Sequence, residues 1–443
     1  MKQVSSAPIG QPGLPAAEAV AEAALEDAPD TAVPDRHDLP RVGAGFIALY
    51  MLAYFGFNLV MLMPALFSLA YKVQLLDPTG KDASLGLVMG VPGIVGLLAG
   101  PIAGVFSDGT RLRWGRRRPW LIGGMLLSGI GALILAAAPT IAFMVVGWCV
   151  SALAVATISA GFNPILAEHV PESQRGKVGA LGGVAAALAG VGATLLGSYL
   201  TGNMLMLFLL PVLVFAIGIV VFAFKIKDEP APADAKTPSI KEVFKGFAFN
   251  PRRYPDFPLV WIGKFFLQFG FTFFSTYQFY FLLQRLGYTA EEAGRQLAVV
   301  GGLSLLALMS FAVLGGFLSD RLGRRKPFIY LAAALIGGGL VTVATAADLL
   351  PYVVGGVMLS AGVGAFTSVD LAMATDLLPE KDKAGKYMSI YYLASGLPGT
   401  IASMVAPAII AIGGGGNYSA LFVAGAVLAL GAAISTWRIQ GVR

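Results

Sequence analysis

The chain has 443 residues, of which 56% are hydrophobic and 13% are charged, and its mean hydropathy is +0.75. Soluble domains carry about twice this charged fraction, so the composition excludes an ordinary soluble protein and indicates that lipid is the solvent for most of the chain. One cysteine excludes an internal disulfide, and with only two histidines we expect neither a metal site nor a cofactor.

Residues 1–40 form the first segment along the chain. They carry seven acids against Lys2 and Arg36, are rich in alanine and proline, and contain no apolar run. This composition predicts a disordered acidic tail without a cleavable signal peptide. The first membrane span is then the expected insertion signal.

Twelve apolar stretches follow, each near the roughly 20 residues that a helix needs to cross a bilayer. They predict an all-α membrane protein of twelve transmembrane helices in two pseudo-symmetric six-helix halves. The stretches lie near residues 43–71, 84–106, 119–138, 140–166, 178–200, 203–225, 257–284, 295–318, 327–347, 349–375, 386–412 and 418–437.

The basic residues test this count independently, because lysine and arginine concentrate in cytoplasmic loops. If both termini are cytoplasmic, 26 of the 31 basic residues fall in cytoplasmic segments. The net charge of +6 is therefore a topology signal, and we expect no nucleic-acid partner. We predict that the protein lies in the lipid bilayer of the cell membrane. We also predict that it is a monomer.

A loop motif occurs twice and shows that the chain is duplicated. Gly104-Val-Phe-Ser-Asp108 recurs as Gly316-Phe-Leu-Ser-Asp320, an offset of 212, and each copy is followed by a loop containing Arg-Arg-x-Pro. The offset of Arg-Arg-x-Pro is 208, so the first loop has four additional residues. Each copy places an acid at the end of one apolar helix and bases before the next.

A second repeated element separates the same two halves. An acid followed seven residues later by a base occurs as Glu168 to Arg175 and again as Asp376 to Lys383. Between the copies, charge and proline interrupt the hydrophobic pattern. We therefore predict halves at residues 41–226 and 257–443, joined by a cytoplasmic linker at 227–256.

Four predicted spans end on the cytoplasmic side with an acid, where the negative end of the helix dipole makes a cation necessary. We predict a charge network that ties these helix ends together in one conformation and breaks in another. The alternative is a set of topology-fixing surface pairs, each contributing under about 1 kcal/mol. The predicted gate network comprises Gly104, Asp108, Arg116, Arg117, Arg118, Glu168, Arg175, Gly316, Asp320, Arg324, Arg325, Lys326, Asp376 and Lys383.

These residues carry a family resemblance. Gly-x-x-x-Asp with its basic loop resembles the loop 2/3 motif of the major facilitator superfamily in both halves, and Glu168-x6-Arg175 resembles the intracellular motif of sugar porters. Arg113-Trp-Gly-Arg-Arg-Arg-Pro-Trp120 is similar to the corresponding loop of sucrose transporters and their relatives in the glycoside-pentoside-hexuronide group. The resemblance implies a twelve-helix transporter whose spans one, four, seven and ten line the cavity.

The chain departs from these relatives at three places. Asn163 stands where sucrose transporters carry an arginine, which makes sucrose itself a doubtful substrate. Span two has no acid before Asp108, which disfavours sodium coupling. Residues 178–200 lack the proline of the drug-antiporter motif, which weakens drug export as an interpretation.

Two charges lie inside predicted spans, where an ionisable residue is costly and suggests function. Lys264 in span seven and Asp370 in span ten are both about 10 Å deep, at 1.5 Å per residue. We predict that they pair and that Asp370 takes up and releases a transported proton. The alternative is a static buried pair that fixes packing.

Polar residues recur at helical spacing on the spans that the resemblance places around the cavity. Amides, hydroxyls and aromatic faces suit a neutral polyol, although polar residues also join membrane helices to one another. The candidates are Tyr50, Tyr54, Asn58, Ser159, Asn163, Gln268, Thr272, Thr276, Thr367, Ser368, Tyr387 and Tyr391.

The sequence contains no Walker-type phosphate loop and no nucleophile with a histidine partner, so we expect no enzymatic activity. We predict a secondary transporter that works by alternating access and takes up a sugar or glycoside with protons. Two alternatives remain: a proton-driven exporter of metabolites or drugs, and a transport-inactive membrane protein acting in assembly or sensing.

Overall fold

The computed structural model describes residues 40–226, 228, 230, 254–379 and 384–440. The predicted N-terminal tail and most of the predicted linker lie outside these residues. Within them, the structure has twelve helices long and apolar enough to cross a membrane, which confirms the predicted fold class. They are α1 (Ala44–Leu76), α2 (Lys81–Asp108), α3 (Arg118–Ala137), α4 (Ile141–His169), α5 (Glu172–Tyr199), α6 (Met204–Lys225), α7 (Asp256–Gln284), α8 (Ala290–Leu322), α9 (Lys326–Ala344), α10 (Leu349–Asp376), α11 (Ala384–Ile410) and α12 (Tyr418–Arg438).

Several helices are longer than the apolar stretches that predicted them. Helix α5 begins at Glu172, and α2 begins at Lys81 with Asp82 in its first turn. Hydropathy registers only the part of a helix that lies in hydrocarbon, whereas backbone hydrogen bonds continue into the polar interface. Asp82, which the sequence assigned to a loop, is therefore part of a membrane helix.

Packing between the helices repeats with the chain. In the first half α1 packs on α5 and α6, α3 packs on α4 and α6, and α2 packs on α4. The second half has the equivalent pairs: α7 packs on α11 and α12, α9 packs on α10 and α12, and α8 packs on α10. The halves contact each other through α2 with α11 and through α5 with α8. The duplication seen in the loops thus extends to the whole bundle.

We name the two ends of the bundle by their loops. The basic end carries the loops 2/3, 4/5, 8/9 and 10/11, where the arginines and lysines of the repeated motifs lie. The distal end carries the loops 1/2, 3/4, 5/6, 7/8, 9/10 and 11/12.

Glycine allows α1 and α6 to approach closely. A Cβ on Gly218 would lie 2.8 Å from the backbone nitrogen of Ala53, and a Cβ on Gly56 would lie 2.5 Å from the Cα of Phe215. Neither backbone can yield locally, because each is held in its own helix. Small residues at these positions therefore set the distance between the two helices.

We expect Gly218→Ala to lower the free energy of unfolding by about 1–3 kcal/mol, as overpacking of a close contact does. Gly123→Ala is the matched control, because a Cβ there would meet nothing within 4 Å and glycine is itself unfavourable inside a helix. Thermal unfolding of the purified proteins in detergent measures both effects. Equal melting temperatures for the two variants would contradict the close approach of α1 and α6.

Candidate functional site

Arg117 is the centre of the charged cluster at the basic end of the first half. It precedes α3 and is fully buried. Its Nη1 donates to Asp108 Oδ1 at 2.8 Å, and its Nη2 donates to Glu168 Oε1 at 2.6 Å. Nη1 also lies 2.9 Å from Ser107 Oγ. One guanidinium thus joins the end of α2, the start of α3 and the end of α4.

The electrostatics of this cluster keep Arg117 charged. Burial alone would lower the pKa of the guanidinium, but the carboxylates of Glu168 and Asp108 outweigh it, so the pKa is raised. Arg116 donates a second hydrogen bond to Glu168. Arg175 instead donates to the backbone carbonyls of Val170 and Ala167, where it closes the end of α4.

The second half repeats this arrangement only in part. Arg325, the counterpart of Arg117, lies with its Nε 2.8 Å from Asp376 Oδ2, and both side chains are partly exposed. Asp320, the counterpart of Asp108, is exposed and has no hydrogen bond or ion pair with any residue that the structure describes. Arg324 is exposed, and Lys383 lies outside the described residues.

A third repeated contact joins the last helix of each half to the basic loops. Arg118 donates to the carbonyl of Ile226 after α6, and Lys326 Nζ donates to the carbonyl of Ile439 after α12 at 2.6 Å. The glycines of the motif have open surroundings, since a Cβ on Gly104 or Gly316 would meet nothing within 4 Å.

Asp228 contributes to the first loop from the central linker, a role that the sequence did not reveal. Its Oδ2 accepts the backbone N–H groups of Arg117 and Arg118 at 2.7 and 2.8 Å, where the positive end of the α3 dipole favours an anion. Gly115 has a φ of +106°, and a Cβ there would lie 2.2 Å from Asp228 Oδ2. The glycine of the Arg-x-Gly-Arg-Arg-Arg-Pro loop is therefore required both for its backbone angle and for space.

The two intramembrane charges lie together inside the second half. Lys264 Nζ on α7 is 2.7 Å from Asp370 Oδ2 on α10, and the two side chains are 7% and 15% exposed. Tyr391 on α11 donates to Asp370 Oδ1, and its ring lies 4.1 Å from Lys264 Nζ. One carboxylate is thus held by an ammonium group and a phenol from two other helices.

The polar stripe on α1 packs against α4 through aromatic rings. The rings of Tyr50 and Tyr54 stack on Phe162 with centroids 4.8 and 5.7 Å apart. Asn58 donates its amide to the Tyr54 carbonyl at 2.8 Å, within the same helix. The structure therefore brings Tyr50 and Tyr54 together and uses Asn58 locally.

Asn163 on α4 is distinctive among the cavity candidates. The residue is 8% exposed, and neither its Oδ1 nor its Nδ2 has a hydrogen-bond partner in the described part of the chain. Buried amides are otherwise almost always paired. Ser159, one helical turn earlier, is 6% exposed and lies on the same face of α4.

The remaining candidates on α7, α10 and α11 are dispersed. Thr272 donates to the Gln268 carbonyl, and Thr367 donates to the Gly364 carbonyl, each within its own helix. The other four lie as follows: on α7, Gln268 is half-buried and Thr276 is buried, Ser368 donates to the Ala365 carbonyl within α10, and Tyr387 packs edge-on against Phe257.

The two halves meet closely at the distal end. A Cβ on Gly86 of α2 would lie 2.7 Å from the Ser403 carbonyl oxygen of α11, and one on Gly294 of α8 would lie 2.6 Å from Ser198 Cβ of α5. Nearer the basic end, a Cβ on Gly104 would meet nothing within 4 Å. Because 18 residues make five helical turns, Gly86 and Gly104 lie on the same face of α2, which contacts α11 as far as Leu97 and Gly396 but has no described atom within 4 Å of a Cβ on Gly104.

Polar contacts between the halves also lie at the distal end. Tyr418 donates to Asp82 Oδ1 at 2.8 Å and Tyr280 donates to the Ala70 carbonyl at 2.9 Å, while the Tyr277 hydroxyl lies 3.3 Å from both the Asp82 and the Ser403 carbonyls. The ammonium of Lys81 lies 4.8 Å from the centre of the Tyr280 ring. The second half contributes the three tyrosines, and the first half contributes the groups that they contact across the boundary between the halves.

The sequence of residues 46–310 and 293–440 matches the family model described as the Major Facilitator Superfamily. The chain belongs to the Major Facilitator Superfamily. Its packing in two repeated halves is the architecture of this superfamily, and the chain is a membrane transporter rather than an enzyme.

Similar proteins agree with this assignment. The crystal structure of the nucleoside transporter NupG matches with a TM-score of 0.69 and 13% identity over 90% of this chain and 99% of that one. A NupG mutant gives a TM-score of 0.71 over 89% and 99%. A curated relative from Synechocystis sp. (strain ATCC 27184 / PCC 6803 / Kazusa), the uncharacterized symporter sll1374, is 47% identical over 53 residues. That match spans 12% of this chain and 10% of the relative.

Proposed function

We propose that this superfamily member is a proton-coupled symporter that carries a sugar or glycoside across the cell membrane, with both termini in the cytoplasm. The buried Lys264–Asp370–Tyr391 cluster is the observation that carries the proposal. The concentration of basic residues at the basic end supports its placement on the cytoplasmic side.

The cluster is suited to handling a proton because its carboxylate depends on two removable partners. Burial favours the neutral form of a carboxyl group, and a nearby ammonium favours the ionised form. Lys264, Asp370 and Tyr391 lie on three different helices, so a relative movement of those helices alters the balance. Protonation of Asp370 is then linked to the conformation of the second half.

A neutral polyol fits the polar groups of the first half. Asn163 offers a buried amide with unused donor and acceptor atoms, and Tyr50 and Tyr54 with Phe162 form a buried aromatic cluster on α1 and α4. Hydroxyl groups of a sugar ring satisfy such an amide, while its apolar face stacks on rings. The printed name of the Synechocystis relative, a symporter, agrees with coupled uptake.

The packing of the halves supports an alternating-access cycle in which this structure is the inward-open state. The halves contact each other at the distal end, whereas the α2 face at Gly104 is open. We infer that the basic end closes in the other state and that Gly104 then allows α11 to approach. The exposed Asp320 of α8 and Lys177 of α5 have opposite charges and lie at the ends of helices that contact each other.

We expect Asp320→Asn to lower the outward-open fraction by up to about fivefold, since an exposed ion pair contributes at most about 1 kcal/mol. Because Asp320 has no hydrogen bond or ion pair with a described residue here, stability of this state should not change. Spin labels at Leu112 and Leu322, both exposed at the basic end, report the closing distance. The charge exchange Asp320→Lys with Lys177→Asp should restore the wild-type distribution, and failure to restore it argues against this pair.

Solute-induced proton movement tests the function directly. The purified protein is placed in liposomes that contain a pH-sensitive dye, and sucrose, maltose, other glycosides, nucleosides and cationic drugs are added outside. Acidification of the lumen on adding a sugar is the expected result. A response to drugs alone, under an imposed proton gradient, replaces the proposal with export, and a response to nucleosides alone replaces the substrate class.

A further inference from the structure

We propose that the Asp82 carboxylate, held by the Tyr418 phenol, is the buried polar contact that keeps the distal end closed and that it breaks each time this end opens; a second carboxylate contact across this end, Thr201 to Glu291 at 3.3 Å, is exposed. We name Lys81, Asp82, Tyr277, Tyr280 and Tyr418 the distal cluster. The inference rests on alternating access by the two halves, and it does not depend on the substrate or on proton coupling.

The position of Asp82 brings it to the boundary between the halves. It lies in the first turn of α2, the helix that packs on α11 of the other half. Tyr418 is the first residue of α12 and is 2% exposed. Their 2.8 Å hydrogen bond therefore spans the surface along which the halves must separate.

The partner of Asp82 is a neutral phenol and not a cation. Lys81, its neighbour in the chain, places its ammonium over the Tyr280 ring at 4.8 Å, and Asp82 has no ion pair within the described ranges. A carboxylate that loses a phenol can be satisfied by water when the distal end opens. The bond stabilises the closed end because a hydrogen bond to a charged group contributes more than a neutral one. It is reversible because water can replace the phenol.

Two further tyrosines fix the same boundary without using the carboxylate. Tyr277 and Tyr280 are 0% exposed; Tyr280 donates to the Ala70 carbonyl, and the Tyr277 hydroxyl lies 3.3 Å from both the Asp82 carbonyl and the Ser403 carbonyl of its own half. A backbone carbonyl in a helix already accepts an intrahelical bond, so these contacts are the weaker part of the cluster. Asp82 supplies the charged acceptor, and Tyr418 is the donor whose removal should matter most.

The loop before α12 allows Tyr418 to reach α2. Four consecutive glycines, Gly413 to Gly416, all have positive φ values between 66° and 109°. A Cβ on Gly414 or Gly415 would meet nothing within 4 Å, so the backbone angles, and not space, require glycine there. This turn sets where α12 begins and hence where the phenol points.

Distance measurements across the distal end test the proposal. In a Cys149→Ser background, spin labels at Gly202 and Arg285 report the separation of the halves, because both positions are exposed, one in each half. The measurement is made on the full chain in lipid nanodiscs without substrate or proton gradient. Tyr418→Phe should raise the population with the longer distance about tenfold or more, the effect expected from loss of a charged hydrogen bond.

Tyr199→Phe is the matched control, because Tyr199 also lies at the distal end but is 70% exposed. It should leave the distance distribution unchanged. Asp82→Asn retains an acceptor oxygen and should shift the distribution less than Tyr418→Phe does, and the double variant should shift it no further than Tyr418→Phe.

An unchanged distribution in folded Tyr418→Phe would overturn the proposal, and so would equal shifts in Tyr418→Phe and Tyr199→Phe. Additive shifts from Asp82→Asn and Tyr418→Phe would show that the two residues act separately, which also contradicts it. If Tyr418→Phe does not fold, the Asp82→Asn variant decides alone. An unchanged distance distribution in Asp82→Asn would overturn the proposal, and a shifted distribution would support it. Since no sugar is used, failure of sugar symport would leave these outcomes intact.

Discussion

Replacing Arg117 by methionine is expected to lower the free energy of unfolding by about 3 kcal/mol, the lower part of the range for removing one partner of a buried ion pair. The guanidinium is fully buried and satisfies both Asp108 and Glu168. Methionine fills much of the space but leaves Asp108 without its cation and leaves Glu168 with Arg116 alone. Both carboxylates retain some solvent exposure, 34% and 24%, which limits the loss.

The duplication provides a matched control for this prediction. Arg325 is the counterpart of Arg117 at the offset of 208, but its side chain is 26% exposed and pairs with Asp376, which is 45% exposed. Arg325→Met should therefore cost under about 1 kcal/mol, as exposed pairs do. Thermal unfolding of both variants in the same detergent compares the two sites.

Comparing the two variants tests whether the Arg117 cluster stabilises the fold or only supplies surface charges that fix the membrane topology. Equal melting temperatures for Arg117→Met and Arg325→Met would mean that the first cluster is also a surface pair, contrary to its burial. Adding Asp108→Asn and Glu168→Gln to Arg117→Met should recover part of the stability, because no unpaired carboxylate then remains. No recovery would assign the loss to packing of the side chain.

Hydropathy and the repeated loops were sufficient to predict the fold. Twelve apolar stretches predicted twelve helices, and the offsets of 208 and 212 predicted two equivalent halves, which the packing pairs repeat. The cost of charge inside a membrane singled out Lys264 and Asp370, and the structure places them 2.7 Å apart. These features depend on composition and spacing, which are local properties of a sequence.

The contacts that the sequence did not reveal depend on distant parts of the chain. Asp82 lies just before the apolar stretch of span two, so it was counted as a loop residue, and its partner Tyr418 is 336 positions away. Asp228 caps a helix that starts 110 residues earlier. Ser368 lies beside Gly315 of α8, where a Cβ on the glycine would be 2.5 Å from the Ser368 Oγ; the sequence does not reveal this proximity, because helical spacing gives a shared face but not its direction.

Asp370→Asn is expected to abolish uphill accumulation of substrate while leaving exchange of substrate across the membrane intact. Asparagine keeps the size of the side chain and can still accept from Tyr391, but it binds no proton. Without a group that is protonated in one conformation and ionised in another, the proton gradient cannot drive the cycle. Exchange needs only the conformational change of the loaded carrier, so it should continue.

Asp376→Asn is the matched control on the same helix. Asp376 lies six residues later on α10, is 45% exposed, and pairs with Arg325. It should retain accumulation, because this carboxylate lies at the solvent-exposed end of α10 and not inside the span. Counterflow and gradient-driven uptake in the same liposomes measure exchange and accumulation separately. Intact accumulation by Asp370→Asn would refute its role as the proton carrier.

Tyr391→Phe distinguishes a proton site from a static pair. The phenylalanine keeps an aromatic ring beside the Lys264 ammonium but removes the donor to Asp370 Oδ1, so the ionised carboxylate loses part of its stabilisation. If Asp370 carries the proton, losing this donor favours its protonated form, and the pH at which accumulation is half-maximal moves upward. A static pair predicts lower stability with an unchanged pH profile. A shifted pH profile together with intact exchange therefore assigns proton coupling to the Lys264–Asp370–Tyr391 cluster. An unchanged pH profile means that the cluster only fixes packing.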